Sequence, residues 1–292
     1  MKIPVKDKST LFDFLLDNMG SASKTKIRKL IRHGAVTLEG EKIDTPEHVL
    51  FPGQSVEIRR PTFPSPFPVL YEDRHLIAVE KPAGMLSIST EKERFNTFYR
   101  AVNQYVQSRS GRRERIFIVH RLDREVSGIM LFAKTPEAKE GLQKNWGKTE
   151  KRYCALTEGH PPREEGTIRG WLKESPIHKV FSCPGGPDAK YAITHYREVR
   201  RYPRHTLLEI RLETGRKNQI RAHLSEMGCP VVGDKKYGAT GNPFRRIALH
   251  AFLLTFAHPV SGNRIRLESP VPGIFEEFGR PLPLPRLTDG SS

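Results

Sequence analysis

Between Arg59 and Pro68 the chain reads Arg59-Arg60-Pro61-Thr62-Phe63-Pro64-Ser65-Pro66-Phe67-Pro68. Prolines at this density remove backbone donors and fix φ, so neither a helix nor a central strand can run through the segment. It is expected to be an extended, semi-rigid connector. Such a break forces separately cored units, and the spacing predicts one over residues 1–60, a linker over 61–68 and a larger unit over 69–279. A length of 292 residues agrees, because a domain typically takes about 100–200. The residues from Arg280 to the closing Asp289-Gly290-Ser291-Ser292 are expected to form a loosely held tail.

In the first unit Ser9 or Thr10 is placed to cap a helix with Leu11, Phe12, Leu15 and Leu16 on one face. After Gly20-Ser21 a second helix turns Ile27, Leu30 and Ile31 inward and covers its remaining surface with Lys24, Lys26, Arg28, Lys29 and Arg32. No acid stands between Lys24 and Arg32, whereas a helix that merely faces water interleaves both signs to gain i,i+4 pairs. These five cations are therefore candidate phosphate contacts, which supply affinity rather than sequence choice. Gly34 is placed as the helix stop, and strands are expected at Ala35–Leu38, Lys42–Ile43 and Gly53–Ile58. The basic helix, the Leu-Ile-x-x-Gly-x-Val run, the Gly-x-x-Ile and the late Pro-Gly resemble the S-four-type RNA-binding domain of ribosomal proteins and many RNA-modifying enzymes. The resemblance implies a small N-terminal α/β RNA-binding domain.

The larger unit opens with Val69–Asp73 and Leu76–Gly84, read as a hairpin entering a tight turn. Strands are expected at Ile116–Val119, Ile129–Ala133, Tyr153–Leu156, Tyr191–Val199, Leu207–Leu212 and Ala251–Phe256, and helices near Thr97–Gln107, Pro136–Trp146 and Asn218–Glu226. The pattern predicts an α+β domain on a mixed, largely antiparallel sheet.

Charge bounds the partner. With 49 Lys+Arg against 33 Asp+Glu the chain carries a net +16, a field that attracts a polyanion and makes binding fall steeply with salt. Nucleic acid is favoured over a membrane, since no long apolar run or basic amphipathic helix with aromatic anchors is present. The opening residues lack the apolar run of a secretory signal. Cys154, Cys183 and Cys229 are odd in number and scattered, so neither a disulfide framework nor a cysteine zinc site is expected, and a reducing cytoplasm is the expected location.

The densest chemical signal is His120-Arg121-Leu122-Asp123-Arg124-Glu125-Val126-Ser127-Gly128, running into Ile129–Lys134. A carboxylate between cations stays ionised, able to act as nucleophile or base. An isolated Arg-x-Asp-Arg is an ordinary surface turn; here it leads into a strand. The run resembles the catalytic motif of RluA-type pseudouridine synthases, with Val126 where that family usually has Thr. Further blocks follow in order: Lys151-Arg152-Tyr153-Cys154-Ala155, then Thr214 to Leu224 with Lys217-Asn218 in place of the usual Thr-His, then Pro230 to Gly238, then Leu249-His250-Ala251 with His258-Pro259.

The resemblance implies a pseudouridine synthase catalytic domain, with Asp123 acting on the ribose, Tyr153 against the uracil and Arg221 pairing bidentately with Asp123. It also implies Arg121 at the flipped nucleotide and Leu249 on the base pocket wall. The reaction needs no redox change, group donor or metal, so no cofactor is expected. RNA is the expected partner, ribosomal or transfer, and the chain is expected to act as a monomer. Other motif readings fail: no glycine-rich phosphate loop or Asp-Phe-Gly accompanies the His-Arg-Leu-Asp, the histidines lack metal-ligand spacing, and Gly185-Gly186 lies in a turn. A non-catalytic RNA-binding assembly factor that retains the fold is the alternative.

Overall fold

The computed structural model describes residues 2–20, 22–32, 35–58, 65–91, 93, 95–110 and 114–276, apart from the side chains of Lys26 and Lys29. Connector residues 59–64, the helix stop expected at Gly34 and the tail expected from Arg280 lie outside the described residues. The chain forms two compact units, one of Met1–Pro66 with Asn103–Arg115 and one of Phe67–Val102 with the chain from Ile116 onward.

The first unit runs β1 (Lys2–Pro4), β2 (Ser9–Thr10), α1 (Leu11–Asn18), α2 (Lys24–Arg32), β3 (Val36–Leu38), β4 (Glu41–Lys42), β5 (Val49–Leu50) and β6 (Ser55–Ile58). Thr10 starts α1, its hydroxyl accepting from the Asp13 N–H at 3.2 Å. Leu11, Phe14 and Leu15 of α1 pack with Ile27, Leu30 and Ile31 of α2 over a sheet of order β1-β6-β3-β4. Of the four residues expected on one face, Phe12 and Leu16 are only partly buried, and Phe12 lies 5.0 Å beneath the Arg28 guanidinium. Phe14 is buried on that face as well. Strand β1 was not foreseen, because three residues are too short to carry a pattern.

The second unit contains β7 (Val69–Glu72), β8 (Leu76–Lys81), α3 (Phe98–Ser110), whose later residues belong to the first unit, β9 (Phe117–Ile118), β10 (Ser127–Ala133), α4 (Pro136–Asn145), β11 (Glu150–Glu158), β12 (Glu165–Glu174) and β13 (Val180–Cys183). It continues with β14 (Lys190–Arg201), β15 (His205–Leu212), α5 (Gln219–Glu226), β16 (Leu249–Ala257), β17 (Arg264–Glu268) and α6 (Gly273–Glu276). The strands form one sheet in the order β13-β12-β14-β15-β11-β16-β10-β8-β7, with β17 on β16 and β9 on β10. Among the described residues every named-strand pairing is antiparallel except that of β10 with β16, where Ser127 faces His250 and Gly128 faces Ala251. This is the mixed, largely antiparallel α+β architecture, joined at one parallel seam.

Strand β10 is buried along its whole length, which explains its unbroken apolar run. At its start the chain passes so close to β16 that a Cβ on Gly128 would fall inside the Ala251 carbonyl, and Gly128 has φ +118°, a region L side chains rarely enter. Gly128→Ala is therefore expected to destabilise the chain by about 3 kcal/mol or more. Urea unfolding checks this, and a midpoint equal to that of the wild type would mean the seam can open without cost.

Strands β12, β13 and β17 escaped the sequence reading. In β12, Gly166 and Gly170 interrupt an alternation whose outward residues face solvent, and Leu172 is its one buried residue. The β12–β13 hairpin nevertheless positions the site, because Leu172, Val180 and Ala192 pack against Ala222 of α5 and against Tyr237.

Candidate active site

Residues 120–126 carry the acidic motif between β9 and β10, and neighbours hold this loop through its backbone. The imidazole of His120 stacks on Trp146, with centroids 4.6 Å apart, and its Nε2 accepts the Leu131 N–H at 2.9 Å. Burial, helped by the charge of Lys151, pushes the His120 pKa down to about 3, so the ring is a neutral acceptor. The Ser87 hydroxyl takes the Leu122 N–H at 3.1 Å and donates to the Leu122 carbonyl at 2.5 Å. The Gly84 N–H donates to the Arg124 carbonyl at 2.9 Å.

Lys81 at the end of β8 is completely buried. Its ammonium donates to the carbonyls of Pro82, Arg124 and Val126 at 2.8, 3.0 and 2.8 Å. Burial pulls its pKa down to about 8, against the opposing pull of Glu125 and Asp123. The charge remains because three carbonyl dipoles converge on it. The tight turn expected at the end of Leu76–Gly84 is present at Ala83–Gly84, and what the sequence did not show is that Lys81 braces the loop that carries Asp123.

One pocket is lined by Asp123, Tyr153, Arg221, Arg121, Leu249 and Val126. Tyr153 stands on β11 at a register irregularity, between Ile210 of β15 and Ala251 of β16. Burial and the charge of Asp123 raise its pKa, so the phenol stays protonated at neutral pH. Leu249 opens β16 and is buried. Arg121 is exposed, and Val126 is buried with its carbonyl on Lys81. The Val-for-Thr departure therefore leaves the brace intact, because the backbone makes that contact.

Arg221 differs from its expected geometry. It reaches Asp123 through one contact, Nη1 to Oδ2 at 3.4 Å, and makes its bidentate pair with Asp234, Nε to Oδ2 at 2.6 Å and Nη2 to Oδ1 at 2.8 Å. Burial works against its charge, but the Asp234 pair outweighs this and raises its pKa. The physical reason lies at the start of α5. Asn218 adopts the left-handed conformation there, φ 51°, accepting from Arg221 Nη1 at 3.3 Å and donating to the Tyr237 hydroxyl at 3.1 Å. The Tyr237 ring lies 4.9 Å from the guanidinium. Asn suits that backbone, which accounts structurally for the departure at this position, and Lys217 turns to an ion pair with Glu174.

Asp234 and Tyr237 belong to the Pro230–Gly238 block, which the sequence marked without assigning it a role. Of the α2 cations, Lys24, Arg28 and Arg32 are exposed in the first unit. Lys26 and Lys29 lie outside the described side chains.

A second buried network spans the parallel seam. Arg246 donates to the Ser127 hydroxyl at 2.6 Å, Ser127 is 2.7 Å from His250 Nδ1, His250 Nε2 is 3.0 Å from the Ser269 hydroxyl, and Ser269 donates to Glu80 at 2.7 Å. Since each hydroxyl has one proton, the direction is fixed from Arg246 to Glu80, and His250 carries its proton on Nε2. Burial and the charge of Arg246 push the His250 pKa down to about 4.

For both His120 and His250 the folded pKa lies below the unfolded value, so the unfolded chain binds more protons as pH falls below about 6.5 and stability is lost in that direction. From pH 7 to pH 5 the two together are expected to remove about 3 kcal/mol. Urea midpoints at the two pH values check this; equal midpoints would mean the imidazoles are charged in the fold.

Among the described residues no three His, Cys, Asp or Glu side chains cluster as metal ligands would.

The site now has a carboxylate held by arginine over a pocket walled by a tyrosine and a leucine, on a sheet with one parallel seam. The RNA pseudouridylate synthase family model matches residues 75–226, and the S4 domain matches residues 11–56. A ribosomal large subunit pseudouridine synthase D of Xanthomonas campestris pv. campestris is 32% identical over 283 residues, covering 86% of this chain and 82% of its own. An uncharacterized RNA pseudouridine synthase of Synechocystis sp. is 32% identical over 282 residues, covering 91% and 86%. Human RNA Pseudouridylate Synthase Domain Containing 4 shares the fold, with a TM-score of 0.61 and 22% identity over 71% of this chain and 90% of that one. The chain belongs to the RNA pseudouridine synthase family and carries an adjoining S4 RNA-binding domain.

Proposed function

We propose that the chain isomerises specific uridines of structured RNA, large-subunit ribosomal RNA in particular, with Asp123 as the acting carboxylate. The observation that carries this reading is the placing of Asp123, with Arg221 3.4 Å away, at a pocket whose wall includes Tyr153 and Leu249. In the reaction the bond from the ribose anomeric carbon to uracil N1 breaks, the base turns, and the same carbon bonds to C5. N1 gains a proton and C5 loses one, so no oxidant, donor or metal enters the balance.

Asp123 engages the ribose, either by attack at the anomeric carbon or by taking a proton to start elimination, and both routes require it ionised. Tyr153 packs on the freed uracil and, being protonated, is a hydrogen-bond donor to it. Arg121, exposed beside Asp123, fills the space the nucleotide vacates on leaving its stack, a step costing a few kcal/mol. Lys24, Lys26, Arg28, Lys29 and Arg32 supply phosphate contacts.

The choice of ribosomal RNA is supported by the name of the Xanthomonas relative and by the adjoining S4 domain. Purified chain incubated with large-subunit ribosomal RNA and, separately, with transfer RNA tests this by chemical detection of pseudouridine. Product in the ribosomal RNA alone supports the reading. Tight binding without product in either RNA would favour the non-catalytic assembly factor.

A further inference from the structure

Asp234 is 1% exposed and its carboxylate is spent on one partner, the Nε–Nη2 edge of Arg221. These are short, charge-assisted bonds in the bidentate geometry that guanidinium favours. What remains for Asp123 is Nη1, which also reaches Asn218, and which approaches Asp123 no closer than 3.4 Å. The arginine thus stands between two carboxylates and gives its strong grip to Asp234, which is not among the residues lining the Asp123 pocket.

We propose that Asp234 is a positioning residue for the isomerisation: it holds Arg221 by the Nε–Nη2 edge so that Arg221 orients Asp123 without neutralising it. This rests on the reading of Asp123 as the acting carboxylate. A buried guanidinium lacking Asp234 would close on Asp123 as a bidentate pair. Such a pair occupies both carboxylate oxygens and lowers the reactivity of the acid toward carbon. With Asp234 in place, the Arg221–Asp234 pair is close to neutral as a unit, and one oxygen of Asp123 stays available to the ribose. The Tyr237 ring against the guanidinium and the Asn218 carbonyl on Nη1 keep the arginine from rotating out of this arrangement.

The test is Asp234→Asn, assayed for kcat and KM on RNA over the pH range in which circular dichroism shows the fold intact. The expected result is a fall in kcat of about 100-fold with KM for RNA within about threefold. The acidic limb of the kcat profile should also move to lower pH. Losing a nearby negative charge and gaining a fuller grip from Arg221 both favour ionised Asp123.

A purely structural Asp234 predicts otherwise. Arg221 would lose its anchor and leave Asp123, and the limb would stay or rise; that outcome, or a kcat within twofold of wild type, overturns the proposal. Asp234→Glu keeps the charge, so the limb should return to the wild-type position even where kcat recovers only in part. If Asp234→Asn does not fold, Asp234→Ser, which also removes the charge, is read by the same two measures: a lowered kcat with the limb at lower pH supports the proposal, and a limb that stays or rises, or a kcat within twofold of wild type, overturns it. Failure of the functional reading itself would appear separately, as wild-type protein that forms no pseudouridine.

Discussion

Asp123→Asn is expected to abolish pseudouridine formation, with kcat lowered by about 10⁴-fold or more, while RNA affinity changes by less than about threefold. Asparagine has the same shape, and its carbonyl oxygen still accepts from Arg221 Nη1, so the pocket and the α5 network keep their geometry. It cannot attack carbon or take a proton. RNA affinity persists because it comes chiefly from phosphate contacts by a chain of net charge +16. Single-turnover assays on saturating RNA separate chemistry from binding. A variant that retains even a tenth of the wild-type rate would remove Asp123 from the mechanism.

Lys81→Met should have the next largest effect, and it acts on both stability and rate. Methionine fills the buried tunnel of the lysine stem but provides no donor for the carbonyls of Pro82, Arg124 and Val126. The Arg124 carbonyl keeps the Gly84 N–H and the Pro82 contact is only part-buried, so the buried Val126 carbonyl bears most of the cost, giving an expected loss of about 2–3 kcal/mol. Two of the three carbonyls lie just after Asp123, so relaxation moves the carboxylate itself. A displacement near 1 Å is enough to cost about 100-fold in kcat. Urea unfolding and single-turnover rates measure the two effects. Stability within about 1 kcal/mol of wild type together with an unchanged rate would show that the loop is held by Ser87 and Gly84 without the lysine.

The residues legible in the sequence are those whose chemistry and neighbours lie close together along the chain. Asp123 stands in a dense local motif, and β10 and α4 announce themselves through an unbroken apolar run and a Thr135-Pro136 start whose hydroxyl caps the Ala138 N–H at 3.2 Å. Tyr153, Arg221 and Leu249 were reached through ordered blocks that resemble a family, not through any periodicity. The illegible parts act through the backbone or across long separations. Lys81 works by bonding carbonyls 43 and 45 residues away, and carbonyls carry no sequence signature.

Asp234 was missed for a different reason. The expected Arg221–Asp123 bidentate pair assumed that the arginine had one acid to serve, yet an acid 13 residues beyond it competes and wins by geometry. A buried-looking Asp within Val232-Gly233-Asp234, in a block already noticed, was the available signal. Strands β12 and β13 were hidden by glycines and solvent-facing side chains, although their inner residues fix Tyr237 and, through it, Asn218.

The most direct measurement is pseudouridine mapping of large-subunit ribosomal RNA from cells lacking this gene, complemented with the wild-type chain or with Asp123→Asn. At least one pseudouridine is expected to disappear on deletion, to return with the wild-type chain and not to return with the variant. A pseudouridine map that the Asp123→Asn chain restores in full would contradict this expectation.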